Sequence, residues 1–318
     1  MERTFLKRNS IDTQHFSSCG KLMLTGEYLV LNGAKALALK TKYRQTLSIK
    51  TSKHENFSWT ALSHNKEPWL QFKFEISNAE IRILTSSDPE KTVRLIEILK
   101  LIYAQRPILF TQPLAFETKM DFEKNWGLGT SSTLISNLAT WSGLNAFDLL
   151  EKSFGGSGYD VAVAQEDHSI LYQLNSLERE VSKVVFDPPF ASQLFFVFLN
   201  RKQNSQEAIS SYSGLLVGAD LPLYTEKVSR MTEEVLHAIT LEKFEELMFE
   251  HETIISKILG RNTVKKNLFS DYTGGICKSL GAWGGDFILV TGKPENLSYF
   301  RERGFDTIIP FKDMIDAN

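Results

Sequence analysis

Trp126-Gly127-Leu128-Gly129-Thr130-Ser131-Ser132 is a small, hydroxyl-rich stretch that runs directly into Leu134, Ile135, Leu138, Ala139 and Trp141. Those five apolar positions keep helical spacing, so the stretch is predicted to be a loop that opens a helix. Glycines let a backbone approach a ligand closely. The N–H groups and the dipole at a helix start favour an anion. Hydroxyls add donors, or a ligand for a phosphate-bound metal. A triphosphate fits this description. So does a capped helix after a tight turn, with Ser or Thr satisfying the first amides. The GxxxxGK[ST] spacing is absent, so an ordinary P-loop is not the explanation.

Two further glycine-rich loops flank this one. Gly155-Gly156-Ser157-Gly158 leads into Tyr159-Asp160-Val161-Ala162. Asp160 is either a helix-stabilising acid in a first turn or a carboxylate placed to accept a proton from a substrate hydroxyl. Gly281-Ala282-Trp283-Gly284-Gly285-Asp286 precedes the apolar run Phe287–Thr291. It reads as a plain turn before a buried strand, or as a wall against which phosphate or substrate backs. Far upstream, Lys21 follows Gly20. A lone lysine is normally a solvated charge. Beside an acid it would favour the ionised carboxylate and stabilise charge on a transferring phosphoryl group.

Around these loops the pattern is α+β. Lys21–Leu31 and Ala34–Ile49 read as strands joined by an Asn32-Gly33 turn. Phe72, Phe74 and Ile76 alternate as in a half-buried strand. Asp88-Pro89 opens a helix running to about Ala104, and Pro113–Phe122 returns to strand. Beyond residue 186 come an apolar strand, Gln193–Leu199, and two helices, Leu221–Ala238 and Leu241–Leu259. Phe244, Leu247, Met248, His251, Ile255 and Ile258 make one stripe on the second helix, so His251 reads as a packing histidine without a chemical role. Helix and strand signals recur at Glu295–Arg303 and Thr307–Pro310. Pro188-Pro189 is the predicted junction between domains 1–187 and 188–318.

Bulk composition narrows the class. The chain has 318 residues, 42% hydrophobic and 23% charged, with net charge −2. No global basic field draws it to nucleic acid or to an anionic membrane. Its N-terminus carries no apolar signal-peptide core, and its longest apolar run, Leu194–Leu199, is too short to span a bilayer. Two cysteines, Cys19 and Cys277, suit a reduced cytoplasmic protein. The expected state is a monomer or homodimer acting on a small molecule. There is no His/Cys pattern with metal-site spacing and no GxSxG elbow.

Taken in order, these motifs resemble those of the GHMP kinases, the galactokinase, homoserine kinase, mevalonate kinase and phosphomevalonate kinase superfamily. Gly20-Lys-Leu-Met-Leu-Thr-Gly-Glu-Tyr-Leu-Val-Leu31 is similar to the first motif, GK followed by GE[HY]. Gly127–Ser132 is similar to the GLGSS phosphate loop. Ser157-Gly-Tyr-Asp160 matches SGxD, and Lys278–Asp286 resembles KxxGAGGGD. The likeness spans residues 20 to 290, and the GYD[IV]A string is typical of a bacterial subgroup. The resemblance implies a two-domain fold, with a ribosomal S5-type N-terminal domain and a ferredoxin-like C-terminal domain.

The resemblance also implies ATP and Mg²⁺ as cofactors. Asp160 would be the base or hydroxyl-orienting carboxylate, with Lys21 paired to it. Gly127, Leu128, Gly129, Thr130, Ser131 and Ser132 would wrap the phosphates, with Ser132 a Mg²⁺ ligand. Glu27 and Tyr28 would lie on the acceptor side, and the third loop, including Gly284 and Gly285, would close the site. Arg201, Lys202 and Ser205 follow the apolar strand where related kinases place a substrate-facing turn. They would hold a carboxylate or phosphate there, or else be solvated loop charges.

Departures from the pattern are Trp283 for a glycine, Thr130 for a serine, and Cys19 for a proline. Only 27 residues separate Ser132 from Asp160. Mevalonate kinases carry a longer insert there with a Mg²⁺-binding glutamate. Glu151 either takes that role or is a solvated helix residue. Glu27-Tyr28 and the Gly-Gly-Asp286 ending look more like phosphomevalonate kinase than mevalonate kinase, so the resemblance implies ATP-dependent phosphorylation of phosphomevalonate or mevalonate in isoprenoid-precursor synthesis. The alternatives are a catalytically silent binding or regulatory protein, and a kinase for a sugar or amino alcohol. A related decarboxylase would lack Lys21.

Overall fold

The computed structural model describes residues 13–166, 168–175, 178–201, 220–281, 283 and 285–317. The chain forms two compact units, each assembled from separated segments. One comprises the residues up to Ser18, Arg44–Glu123 and Leu134–Gly155. The other comprises Cys19–Tyr43, Lys124–Thr133 and everything from Gly156 onward. Pro188-Pro189 lies within the second unit, between two strands.

Strand β1 (Gln14–Thr25) and strand β2 (Ala36–Thr51) each contribute to both units. In the first unit, β2 continues the order β5-β4-β3-β6-β2, with β3 Phe57–Leu62, β4 Pro68–Ser77, β5 Glu80–Ser86 and β6 Leu114–Met120. β3 and β6 run parallel and the other neighbours antiparallel. Alternation in β3 and β4 turns Phe57, Trp59, Phe72 and Phe74 to one buried face. There Trp59 stacks on Phe116 at 5.3 Å and Phe57 on Phe74 at 5.0 Å.

Helix α1 (Pro89–Gln105) starts as its sequence predicts, with Asp88 accepting from the Lys91 N–H and Pro89 in the first turn. Helix α2 (Thr130–Ser142) sets Trp141 edge-on to Phe116 and Phe110, and α3 spans Ala146–Glu151.

The second unit holds α4 (Tyr159–Gln165) and two strands, β7 (Ser169–Leu174) and β8 (Arg179–Val184). β7 pairs with Ala36–Ala38 of β2. A separate antiparallel sheet has the order β10-β11-β9-β12, from β9 Leu194–Phe198, β10 Cys277–Ser279, β11 Phe287–Thr291 and β12 Ile308–Pro310. Every residue of β9 and β11 is buried, which is why both read as unbroken apolar runs. One face packs Phe195, Val197, Ile288 and Val290 against Phe269, Tyr272 and Phe300.

Helices α5 (Leu221–Leu236) and α6 (Leu241–Leu259) follow the predicted pattern, α6 capped by Thr240 and ended by Gly260. Short helices α7 (Val264–Leu268), α8 (Ser298–Arg301) and α9 (Phe311–Met314) complete the unit. Among the described residues, no helix is long and apolar enough to cross a membrane.

Three local readings differ from the structure. The strand expected over Lys21–Leu31 ends at Thr25, and Leu29–Asn32 is a 3-10 turn. β3, β5, β7 and β8 are strands beyond those the sequence pattern predicts. The helix expected over Glu295–Arg303 is broken into a 3-10 turn, Pro294–Leu297, and α8.

Candidate active site

Two of the glycine-rich loops, Lys21 and Asp160 come together within the second unit. β1 carries Lys21 past the loop that opens α2, and its backbone N–H donates to the Leu128 carbonyl at 3.0 Å. The Lys21 ammonium lies 3.4 Å from Asp160 Oδ2, donates to the Gly127 carbonyl at 3.4 Å, and sits 5.2 Å above the Tyr159 ring. α4 holds Asp160 in its first turn, and the side chain keeps about a third of its surface exposed (34%) against 9% for Lys21.

Burial works against the Lys21 charge. Asp160 foremost, then Tyr159 and Asp286, outweigh it and hold the lysine above its ordinary pKa. Tyr159 is itself raised, by burial and by Asp160, and stays a neutral phenol. The site thus keeps a permanent cation between a carboxylate and a glycine loop.

The loop turns into α2 through two glycines at positive φ, Gly127 and Gly129. Gly129 has φ +90°, and its carbonyl accepts from Ser132 Oγ at 2.8 Å and Thr133 Oγ1 at 3.1 Å. A Cβ on Gly129 would fall 2.6 Å from Ser132 Oγ and 3.2 Å from Lys21 Cε. The Thr133 N–H donates to the Gly129 carbonyl at 3.0 Å, and the amides ahead of it lie at a helix start, where the helix itself offers no acceptor. Leu128 and Ser132 are buried, and Ser131 is exposed.

The third loop brings a residue that the sequence reading left without a role. Asp286, at φ +53°, donates its N–H to the Arg201 carbonyl at 2.8 Å, and a Cβ on Gly127 would meet its Oδ2 at 2.2 Å. Gly127 is therefore needed by Asp286 as much as by any ligand. Trp283 is 5% exposed and holds φ +46°, a conformation rare for a bulky side chain. A tryptophan is thus buried in this loop where the resemblance expects a glycine.

Other predicted site residues are spread more widely. Glu27 is 3% exposed and turned inward, with Oε1 accepting from Lys278 Nζ at 2.5 Å. Tyr28 is buried, and burial pushes its phenol up to about 12. Gly285 is buried, and the Arg201 side chain is exposed. Glu151 is exposed at the end of α3, in the first unit. Gly284, Lys202 and Ser205 lie outside the described residues. Among the described residues, no group of three His, Cys, Asp or Glu could hold a metal ion.

Glu27 belongs to a buried polar cluster that apolar periodicity hid. His251, fully buried on α6, accepts the Gly26 N–H on Nε2 at 3.0 Å. Burial, then Lys278, drives its pKa well below the usual value, so the imidazole is neutral with its proton on Nδ1. Its 3.3 Å approach to Glu27 Oε2 is accordingly not an ion pair. Next on α6, Glu252 accepts from the Ser279 N–H at 3.1 Å and from Ser279 Oγ at 3.0 Å. Burial raises it to about 7, against Lys278 and Ser279, which lower it.

The pH dependence follows from these shifts. An acid raised on folding takes up a proton, so Glu252 makes stability fall between about pH 4.5 and 7. A histidine held neutral acts oppositely and loses stability as pH drops below its ordinary 6.5. Glu252→Gln removes the first effect alone. Its stability relative to wild type should rise by about 3 kcal/mol from pH 4.5 to 7, and then level off. Urea denaturation across that range reads this directly, and parallel profiles would contradict it.

No protein-family model and no curated protein matches the chain. Among solved structures it is similar to the Lin0012 protein of Listeria innocua, at 16% identity over 94% of this chain and 97% of that one, with TM-score 0.70. It is similar to L. major mevalonate kinase, solved with R-mevalonate, at 13% identity over 94% and 96%, TM-score 0.69. It is similar too to Streptococcus pneumoniae phosphomevalonate kinase, solved with phosphomevalonate and AMPPNP, at 16% identity over 91% and 95%, TM-score 0.66. Likeness of this extent, covering nearly the whole of each chain, means that this protein has the α+β fold of the GHMP kinases.

Proposed function

We propose that the chain is a GHMP-superfamily kinase that transfers the γ-phosphoryl group of ATP to a small anionic acceptor of the mevalonate series. The observation that carries this reading is the buried Lys21 ammonium, 3.4 Å from both the Asp160 carboxylate and the carbonyl of Gly127 in the phosphate loop. Phosphoryl transfer asks mainly for positioning and charge neutralisation, and this set supplies both.

In the proposed reaction, amides and hydroxyls of Gly127–Ser132 hold the β- and γ-phosphates. Asp160 orients the acceptor oxygen and accepts its proton on Oδ1 or Oδ2 as the oxygen attacks the γ-phosphorus and the bond to the ADP oxygen breaks. Lys21 pairs with the Asp160 carboxylate and meets the charge that gathers on the equatorial oxygens. Its raised pKa suits that task, since the group remains an ammonium at any working pH. The available donors, Ser132 Oγ and the carboxylates of Asp160 and Asp286, are hard oxygens. They fit Mg²⁺, which takes one or two protein ligands and fills its shell with phosphate and water. Ser132 would hold the ion, and the bound ion would neutralise phosphate charge. Asp286 and Trp283 shape the far wall.

The L. major and S. pneumoniae proteins, with R-mevalonate and phosphomevalonate bound, motivate the choice of acceptors. The test is to incubate the protein with Mg-ATP and either (R)-mevalonate or 5-phosphomevalonate, and follow ADP release. Turnover of phosphomevalonate alone is the expected result, and turnover of mevalonate alone reverses the ranking. Activity only on a sugar or an amino alcohol would move the acceptor class. ATP binding without transfer to any acceptor would favour a silent binding protein.

A further inference from the structure

The turn after β1 is strained, and the buried polar cluster is what grips it. Tyr28 has φ 63° and ψ −51°, and across it the Leu29 N–H donates to the Glu27 carbonyl at 2.7 Å. That is a γ-turn of the rare, strained hand. A non-glycine residue stays in such a conformation only where its surroundings over-determine it. Here the two residues before Tyr28 are tied to side chains that the sequence places far away. Gly26 gives its N–H to His251 Nε2, and Glu27 gives its carboxylate to Lys278. Lys278 also donates to the Ser279 carbonyl at 2.8 Å, and Glu252 takes the Ser279 N–H and hydroxyl. Glu27, Lys278, His251 and Glu252 are each no more than 3% exposed. Glu27 Oε2 and His251 Nδ1 are buried with no hydrogen-bond partner among the described residues. A cluster with orphaned polar atoms is a poor way to gain stability, since an apolar core would cost less. Its geometry makes sense as a device for holding backbone.

We propose that Lys278, His251 and Glu252 are positioning residues that clamp the Gly26–Leu29 turn, and with it Tyr28, in the geometry the acceptor side of the site requires. The clamp reaches the third glycine loop as well, because Lys278 and Ser279 lie on β10, immediately before Leu280 and Gly281. The inference rests on the kinase reading for its functional half. Its structural half, the hold on the turn, does not.

Two variants separate holding from mere stability. Lys278→Met leaves the Glu27 carboxylate buried without its cation and should lower the melting temperature. Glu27→Gln combined with Lys278→Met removes both charges and should recover most of that loss. In both variants, hydrogen exchange at the Leu29 amide is expected to speed up at least tenfold, with the β11 amides unchanged. The acceptor KM should rise at least tenfold, with ATP affinity by calorimetry near wild type. A purely structural cluster would move the melting temperature and leave the KM of the recovered double variant at the wild-type value. Wild-type exchange at Leu29 in the folded variants overturns the clamp whether or not an acceptor is known, so it fails separately from the kinase reading. Accelerated exchange with an unchanged acceptor KM overturns the positioning role.

Discussion

Asp160→Asn is expected to lower turnover by about two orders of magnitude or more, the scale for losing a positioned acid–base group. Asparagine keeps the shape of aspartate and cannot accept a proton. The fold should tolerate it. The Asp160 side chain is about a third exposed (34%), so solvent already screens its attraction to Lys21. Lys21 would keep the Gly127 carbonyl, and Asp286 remains as a second carboxylate that favours its charge. Binding of ATP should survive, because the hydrogen bonds that shape the Gly127–Ser132 loop run to Lys21, Ser132 and Thr133. The variant should therefore separate chemistry from binding: kcat falls while nucleotide affinity and melting temperature stay close to wild type. Steady-state kinetics on the best acceptor, with a calorimetric titration and a thermal melt, measure all three. Near-normal turnover would remove Asp160 from the mechanism.

The parts of this site visible in the sequence are those written in local patterns. A glycine-rich loop running into a helical stripe announces its own structure, and the 127–132 loop and α2 form where the spacing put them. The all-buried strands β9 and β11, the cap at Asp88 and the apolar faces of α5 and α6 were legible for the same reason. The fold class followed from four short motifs in a fixed order rather than from any one of them. What stayed hidden depends on pairs distant in the chain. Lys278 and Glu27 stand 251 positions apart, and no periodicity links them. His251 fits an apolar stripe so well that its bond to the Gly26 N–H leaves no trace in the pattern. Glu252, beside that stripe, is buried where Ser279 brings two donors to it. Asp286 was read as the end of a motif, and its approach to Gly127 is visible only in three dimensions.

Gly129→Val should abolish measurable ATP binding. At φ +90° any side chain is strained, by about 1–2 kcal/mol from the clash of Cβ with the following carbonyl. The Cβ would also fall 2.6 Å from Ser132 Oγ, which must then leave the Gly129 carbonyl it bonds at 2.8 Å. On the other side it would crowd Lys21 Cε at 3.2 Å. One substitution thus displaces a hydroxyl and an ammonium that the proposed phosphate site uses together. If two charge-assisted hydrogen bonds are lost, each contributing about 1.5–3 kcal/mol, affinity falls roughly 10²- to 10⁴-fold. Backbone strain by itself would lower stability without touching the nucleotide, so a control is needed. Gly304→Ala supplies one: Gly304 has φ +81°, and a Cβ there meets nothing within 4 Å. It should lose stability to a similar extent and keep its ATP affinity. Calorimetric titration of ATP into both folded variants decides the matter. Equal affinities would mean that the loop binds no phosphate, and the glycines would then be explained by the close approach of Lys21, Ser132 and Asp286 alone.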